Sequence, residues 1–140
     1  MHSVSFGGIE QERLTISVTG YEGEPSDDYA WMGVVVSISA GYFSGKFPAS
    51  FVSQELAEFY RQGMILYETL KGSAEFSTLE RQLGFILTSN SLGHIELKGE
   101  ARDVAGTGNT LKFSLTFDQT QLRSSLAQLA ELLSIYKVRT

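Results

Sequence analysis

Three places in the sequence hold residue types that could do chemistry. The first is "GYEGEPSDDYAW", Gly20 to Trp31, where Asp27 and Asp28 stand beside Tyr29 and Trp31. A carboxylate pair can run acid–base or glycosidase-type chemistry when burial holds one member near neutrality. Adjacent aspartates among Gly, Pro and Ser read instead as a solvated turn. The second place is His94 with Glu96 two residues on, which share a face if the segment is a strand. Zinc needs three or four protein ligands and no third is suggested, so no metal and no cofactor is expected. His94 is also the sole base available to a serine nucleophile, since His2 sits at the terminus, and no G-x-S-x-G elbow is present. The third place is the cluster Gly106, Gly108 and Asn109 in "GEARDVAGTGNTLKFSLTFDQTQL". A phosphate loop must lead from a strand into a helix N-terminus. Here the glycines lie between two strand-like segments, so Ala105 to Asn109 reads as a hairpin turn.

The elements that must position these residues follow from periodicity. Leu14, Ile16 and Val18 alternate with polar residues, which predicts a strand with one buried face. Gly20 to Ala30 reads as a loop. "WMGVVVSISAG" and "YFSGKFPAS" read as strands joined at Gly41 in a hairpin, with Pro48 at an edge or strand end. Ser53 to Lys71 is a helix whose stripe is Val52, Leu56, Phe59, Gly63, Leu66 and Leu70, with Ser53 as N-cap. Mid-helix Gly63 costs about 1 kcal/mol relative to alanine, which a close helix–sheet contact would explain. "AEFSTLE", "RQLGFILTS", "GHIELKGEARDV" and "NTLKFSLTF" are further strands, with "NSLG" a turn. Gln119 to Lys137 forms the last helix, with Asp118 and Gln121 as its capping box. Short links between consecutive strands predict an α+β fold: a mainly antiparallel β-sheet of about six or seven strands, with two amphipathic helices packed on one face. Residues 1–140 read as a single domain without an internal repeat.

Composition narrows the function classes. The chain has 140 residues, 42% of them hydrophobic, with a formal charge of −5 and no cysteine. That length suits one core, and the absence of cysteine removes disulfides and thiolate chemistry. No basic run is present for nucleic acid, and no apolar run approaches the roughly 18 residues that span a bilayer. Without a signal-like N-terminus, the expected compartment is the cytoplasm. An acidic protein is suited to a basic protein partner. Carboxylates among aromatics are the composition of a protein-binding patch. The candidate patch is therefore Glu22, Glu24, Asp27, Asp28, Tyr29 and Trp31. Equally, Trp31 could be the first core residue of its strand.

The segments "GYFSGKF", "LYETLKGSAEFSTLE" and "GTGNTLKFSLTFDQTQL", with the helices that follow the first and last, resemble the WapI-type immunity proteins. None of these stretches is a catalytic motif. The resemblance implies a non-enzymatic cytoplasmic antitoxin that binds and blocks a cognate toxin domain, and it assigns no binding residue. Because the namesake toxin is a nuclease, the expected partner is a basic protein; nucleic acid and membrane are not expected, and the oligomeric state is left open. The competing expectation is a small-ligand or regulatory module with a pocket between sheet and helices near Tyr60, Tyr67 and Phe85. An enzyme would need buried, facing carboxylates.

Overall fold

The computed structural model describes residues 2–8, 12–22, 31–90 and 92–137. Four strands come first: β1 (His2–Gly7), β2 (Arg13–Tyr21), β3 (Trp31–Ala40) and β4 (Phe43–Val52). Helix α1 (Ser53–Thr69) leads to β5 (Ser73–Ser77), β6 (Leu83–Ser89), β7 (His94–Val104) and β8 (Thr107–Asp118), and α2 (Gln119–Ile135) closes the chain. The strands form two four-stranded antiparallel sheets, each with its strands in sequence order. The α+β class and the antiparallel pairing match the sequence reading. The additional strand is β1, where Val4 and Phe6 are buried and pair into the ladder beside β2.

The two halves repeat one plan, four meandering strands and a helix. Leu56, Gly63 and Leu66 on α1 and Leu122, Leu129 and Leu132 on α2 are buried at equivalent positions of two 17-residue helices. No repeat is visible in the sequence because most paired positions differ in type: Phe59 faces Ser125 in this alignment, and Gly63 faces Leu129.

Neither helix lies across the middle of one sheet. Helix α2 packs chiefly on β1, α1 chiefly on β5, and the helices pack on each other. Each therefore closes an edge that would otherwise expose unpaired backbone groups. Gln128 Oε1 accepts the Ser5 N–H at 2.8 Å, and the Ser125 hydroxyl donates to the Ser5 carbonyl. On the other side Gln62 Oε1 accepts the Glu75 N–H at 2.9 Å. Gln62 and Gln128 occupy the same position in their helices, so each half lends its helix to the other half's first strand.

Between the sheets lies one buried cluster drawn from both sheets and both helices. Its centre is aromatic. Phe6 meets Phe59 and Phe85 edge-on at ring separations of 5.8 and 5.4 Å, and Phe76 packs against Phe51, Phe59 and Phe85. Such pairs add about 0.5–1.5 kcal/mol each beyond the area they bury. Gln82 joins the sheets at one end: its buried Nε2 donates to the carbonyls of Pro48 on β4 and Arg102 and Asp103 on β7.

Local chemistry differs from the sequence reading at three points. Val52, not Ser53, is the N-cap of α1; valine has no acceptor, and Glu55 instead reaches back to the Val52 N–H at 2.8 Å. Ser53 is buried and its hydroxyl donates to the Lys137 carbonyl. Gly63 answers a helix–helix contact, since a Cβ there would lie 2.8 Å from Leu126 Cδ2. The turn between β7 and β8 is tighter than Ala105–Asn109: Ala105 and Gly106 make it, and Gly108 and Asn109 belong to β8. Gly108 has φ 86, and its neighbour Asn109 donates its N–H to Asp103 Oδ1 at 2.8 Å, opposite a register shift in β7. The capping box of α2 forms as read, with Gln121 N–H donating to Asp118 Oδ1 at 2.8 Å and Asp118 N–H to Gln121 Oε1 at 3.0 Å.

Candidate functional site

Of the proposed patch, Glu24, Asp27, Asp28 and Tyr29 lie outside the described residues, while Glu22 and Trp31 lie within them. The two flank the β2–β3 connection and are joined by backbone, Glu22 N–H donating to the Trp31 carbonyl at 2.8 Å. Trp31 is half-buried but is not a core residue. It shares strand parity with Gly33, Val35 and Ser37, whereas the buried positions of β3 are Met32, Val34, Val36 and Ile38. Its ring therefore belongs to the face of the first sheet turned away from the core.

Glu22 belongs to the same face. Its Oε1 accepts a hydrogen bond from the Ser50 hydroxyl at 2.6 Å, and a Cβ built on Gly33 would lie 3.4 Å from that oxygen. The close approach at Gly33 is to the Thr19 hydroxyl, 2.9 Å from where a Cβ would stand, while Glu22 lies over the glycine at ordinary contact distance. A register shift between Val18 and Gly20 accompanies this, with the Thr19 hydroxyl donating to the Gly33 carbonyl at 3.0 Å.

From there the outer face runs in cross-strand rows towards the β3–β4 turn. One row is Ser3, Ser17, Val35 and Pro48; the next is Ser5, Thr15, Ser37 and Lys46; the last is Gly7, Arg13, Ser39 and Ser44. Hydroxyls pair across the strands, Ser3 with Ser17 at 2.8 Å and Ser5 with Thr15 at 3.0 Å. Beyond the last row the turn carries Tyr42, which is fully exposed, followed by Phe43, 69% exposed. Gly41 supplies the positive φ of 62 at the first turn position.

The other chemistry considered from sequence is not assembled. His94 and Glu96 do share a face, but His94 Nδ1 sits 3.3 Å from the Asn90 amide, and Glu96 pairs with Lys98 at 3.6 Å. Among the described residues no three His, Cys, Asp or Glu side chains come together as a metal site. The glycines near the β7–β8 turn point at no helix N-terminus. Of the residues named for the competing pocket between sheet and helices, Phe85 packs edge-on against Phe6 and Phe59 in the core, and Tyr60 and Tyr67 are partly buried against it.

Among the described residues three carboxylates have shifted environments and all bind groups of the fold itself: Glu55, Glu58 and Asp103, the last held below its ordinary value chiefly by the Asn109 N–H. Burial pushes the Glu55 carboxyl up from its ordinary value, against the two backbone N–H groups of Val52 and Leu79 that favour its charge. By accepting from Leu79 as well as Val52, Glu55 ties the β5–β6 turn to the start of α1. Glu58 is held down at about 2, chiefly by its hydrogen bonds from Arg61 and then from Gln62.

A shallow concavity of about 750 Å³ lies on the outer face of the second sheet, with Gly84 and Ile86 on its floor and Arg81, Lys98, Glu100 and Lys112 around it. Those four charged side chains and Glu75 are all exposed, and the buried polar residue of the lining, Thr78, donates its hydroxyl to the Leu83 carbonyl of its own hairpin.

No helix among the described residues is long and apolar enough to cross a membrane. No curated protein matches the chain. The family model described as the immunity protein WapI-like family matches residues 5–137, which takes in both sheets and both helices. The chain therefore belongs to the WapI-like immunity protein family.

Proposed function

We propose that the chain is a non-enzymatic immunity protein of the cytoplasm that binds a cognate toxin domain and blocks its action. Family membership over residues 5–137 carries this reading. One further feature supports it: the net charge of −5 favours encounter with a basic domain. Under this proposal the acidic and aromatic residues of the β2–β3 connection, Glu22, Glu24, Asp27, Asp28, Tyr29 and Trp31, touch the toxin.

The experiment is co-expression in cells of this chain with the C-terminal domain of a secreted toxin encoded beside its gene. Growth should be restored by this chain and not by an unrelated acidic protein of similar size. Continued killing at high levels of the folded chain would refute the assignment. The charge argument has its own check. Asp27→Lys with Asp28→Lys should slow association with the toxin domain about tenfold or more at low salt and much less at high salt, because steering is screened. An unchanged rate at low salt would remove that segment from the contact surface.

A further inference from the structure

We infer that the toxin contact extends beyond the β2–β3 connection, along the outer face of the first sheet, to the aromatic β3–β4 turn. This inference rests on the immunity reading above and adds to it a surface and a partner chemistry.

The repeated architecture provides an internal comparison. Both sheets have a buried inner face and an outer face that no described helix or strand packs across, so among the described residues the differences between the outer faces are not set by core packing. On the second sheet that face carries long charged side chains, Glu75, Glu96, Lys98, Glu100 and Lys112, around the exposed Ile86 and among short polar ones. This is how a solvated sheet face is built. The first sheet's three rows carry Arg13 and Lys46 as their only charges and no carboxylate, in a protein of net charge −5. Most of the rest is serine and threonine.

Such a face is cheap to bury. Serine and threonine lose little rotamer freedom compared with lysine or glutamate. Ser3, Ser17, Ser5 and Thr15 already satisfy one another across the strands, which lowers the desolvation cost. Interface cores are depleted in charge and enriched in aromatics in the same sense. Trp31 at one end and Tyr42 at the other supply the aromatics, and Tyr42 stands fully exposed on the two-residue turn between Ala40 and Phe43. The surface is continuous with the proposed acidic contact, because Glu22 lies over Gly33 on this same face.

Among the described residues the charge changes along this surface from Glu22 at the β2–β3 end to Lys46 near the β3–β4 end. The matching occupant is a toxin surface with a cation facing Glu22 and a carboxylate facing Lys46, beside a recess for the Tyr42 ring.

The test uses the full chain and the purified neighbour-encoded toxin domain, inactivated in its active site. Tyr42→Ala removes a fully exposed ring and leaves the fold intact; Ser37→Arg places a long cation in the middle row. Thr88→Arg and Thr116→Arg, on the outer face of the second sheet, are the controls, with unfolding curves confirming that every variant is folded. Binding should weaken at least tenfold for Tyr42→Ala and Ser37→Arg and stay within about twofold for the controls. If all four variants bind like the wild type, the toxin reading stands and the extended surface is wrong. Should Ser37→Arg abolish self-association of this chain without touching toxin binding, the face joins two copies and the inference is overturned. If the unaltered chain fails both to bind and to protect, the immunity reading falls and this inference with it.

Discussion

Gly99 shows most clearly how one residue position is fixed. It lies on the core side of β7 opposite Phe113, and a Cβ there would sit 2.6 Å from Phe113 Cζ. The phenylalanine ring covers the glycine and fills the space a side chain would take. Gly99→Ala should therefore destabilise the fold by about 1–3 kcal/mol through overpacking, measured as a fall in the denaturant midpoint at unchanged slope. Glu58 makes a different kind of prediction. Its folded pKa lies near 2, below its ordinary 4.5, so its contribution to stability is present above about pH 4.5 and is lost as pH falls towards 2. Glu58→Gln should flatten the loss of stability across that window, read by acid titration of unfolding. Glu55 acts with the opposite sign: its raised pKa favours the fold on the acid side and that contribution fades as pH rises through the folded value. Neither effect is legible in sequence. The burial of Glu55 depends on the β5–β6 turn meeting α1, a contact 24 residues apart.

The elements themselves were largely legible, because amphipathic periodicity is a local property. The alternation of Leu111, Phe113, Leu115 and Phe117 and the capping box at Asp118 both form as read. Strand β1 was missed because its alternation, Val4 and Phe6 among serines, is short and ends at Gly7. What holds it is tertiary: Gln128, 123 residues away, binds its free edge. That partnership gives the test at this scale. Gln128→Ala leaves the partly buried Ser5 N–H without its acceptor and should cost about 1–3 kcal/mol. Gln62→Ala should cost less, because its bond to Glu75 is exposed. Both are read from unfolding curves, and hydrogen exchange at Ser5 and Glu75 should locate each loss at the released edge. Equal costs with no change in exchange at either strand would contradict the edge-closing roles of the helices.

At the scale of the whole molecule the sequence placed the chain in its family and class but not in its architecture. One sheet with helices on a face became two sheets with a helix along an edge of each, since pairing between sheets depends on residues far apart in sequence. The candidate site was half legible. The composition of the β2–β3 connection drew attention to Glu22 and Trp31, and the structure turns both towards the outer face of the first sheet. The hydroxyl rows and Tyr42 escaped notice because serine, threonine and a lone tyrosine carry no motif; only their assembly across four strands makes a surface. Under the proposed function this chain stops a toxin by occupying it. The most direct measurement is titration of the purified chain into a fixed amount of the active toxin domain while its activity is followed. Activity should be lost with a sharp end point at a fixed stoichiometric ratio, the toxin domain being recovered intact and active once the complex is separated under denaturing conditions and refolded. Undiminished activity at a large excess of folded chain would contradict it, as would a toxin domain recovered cleaved or modified.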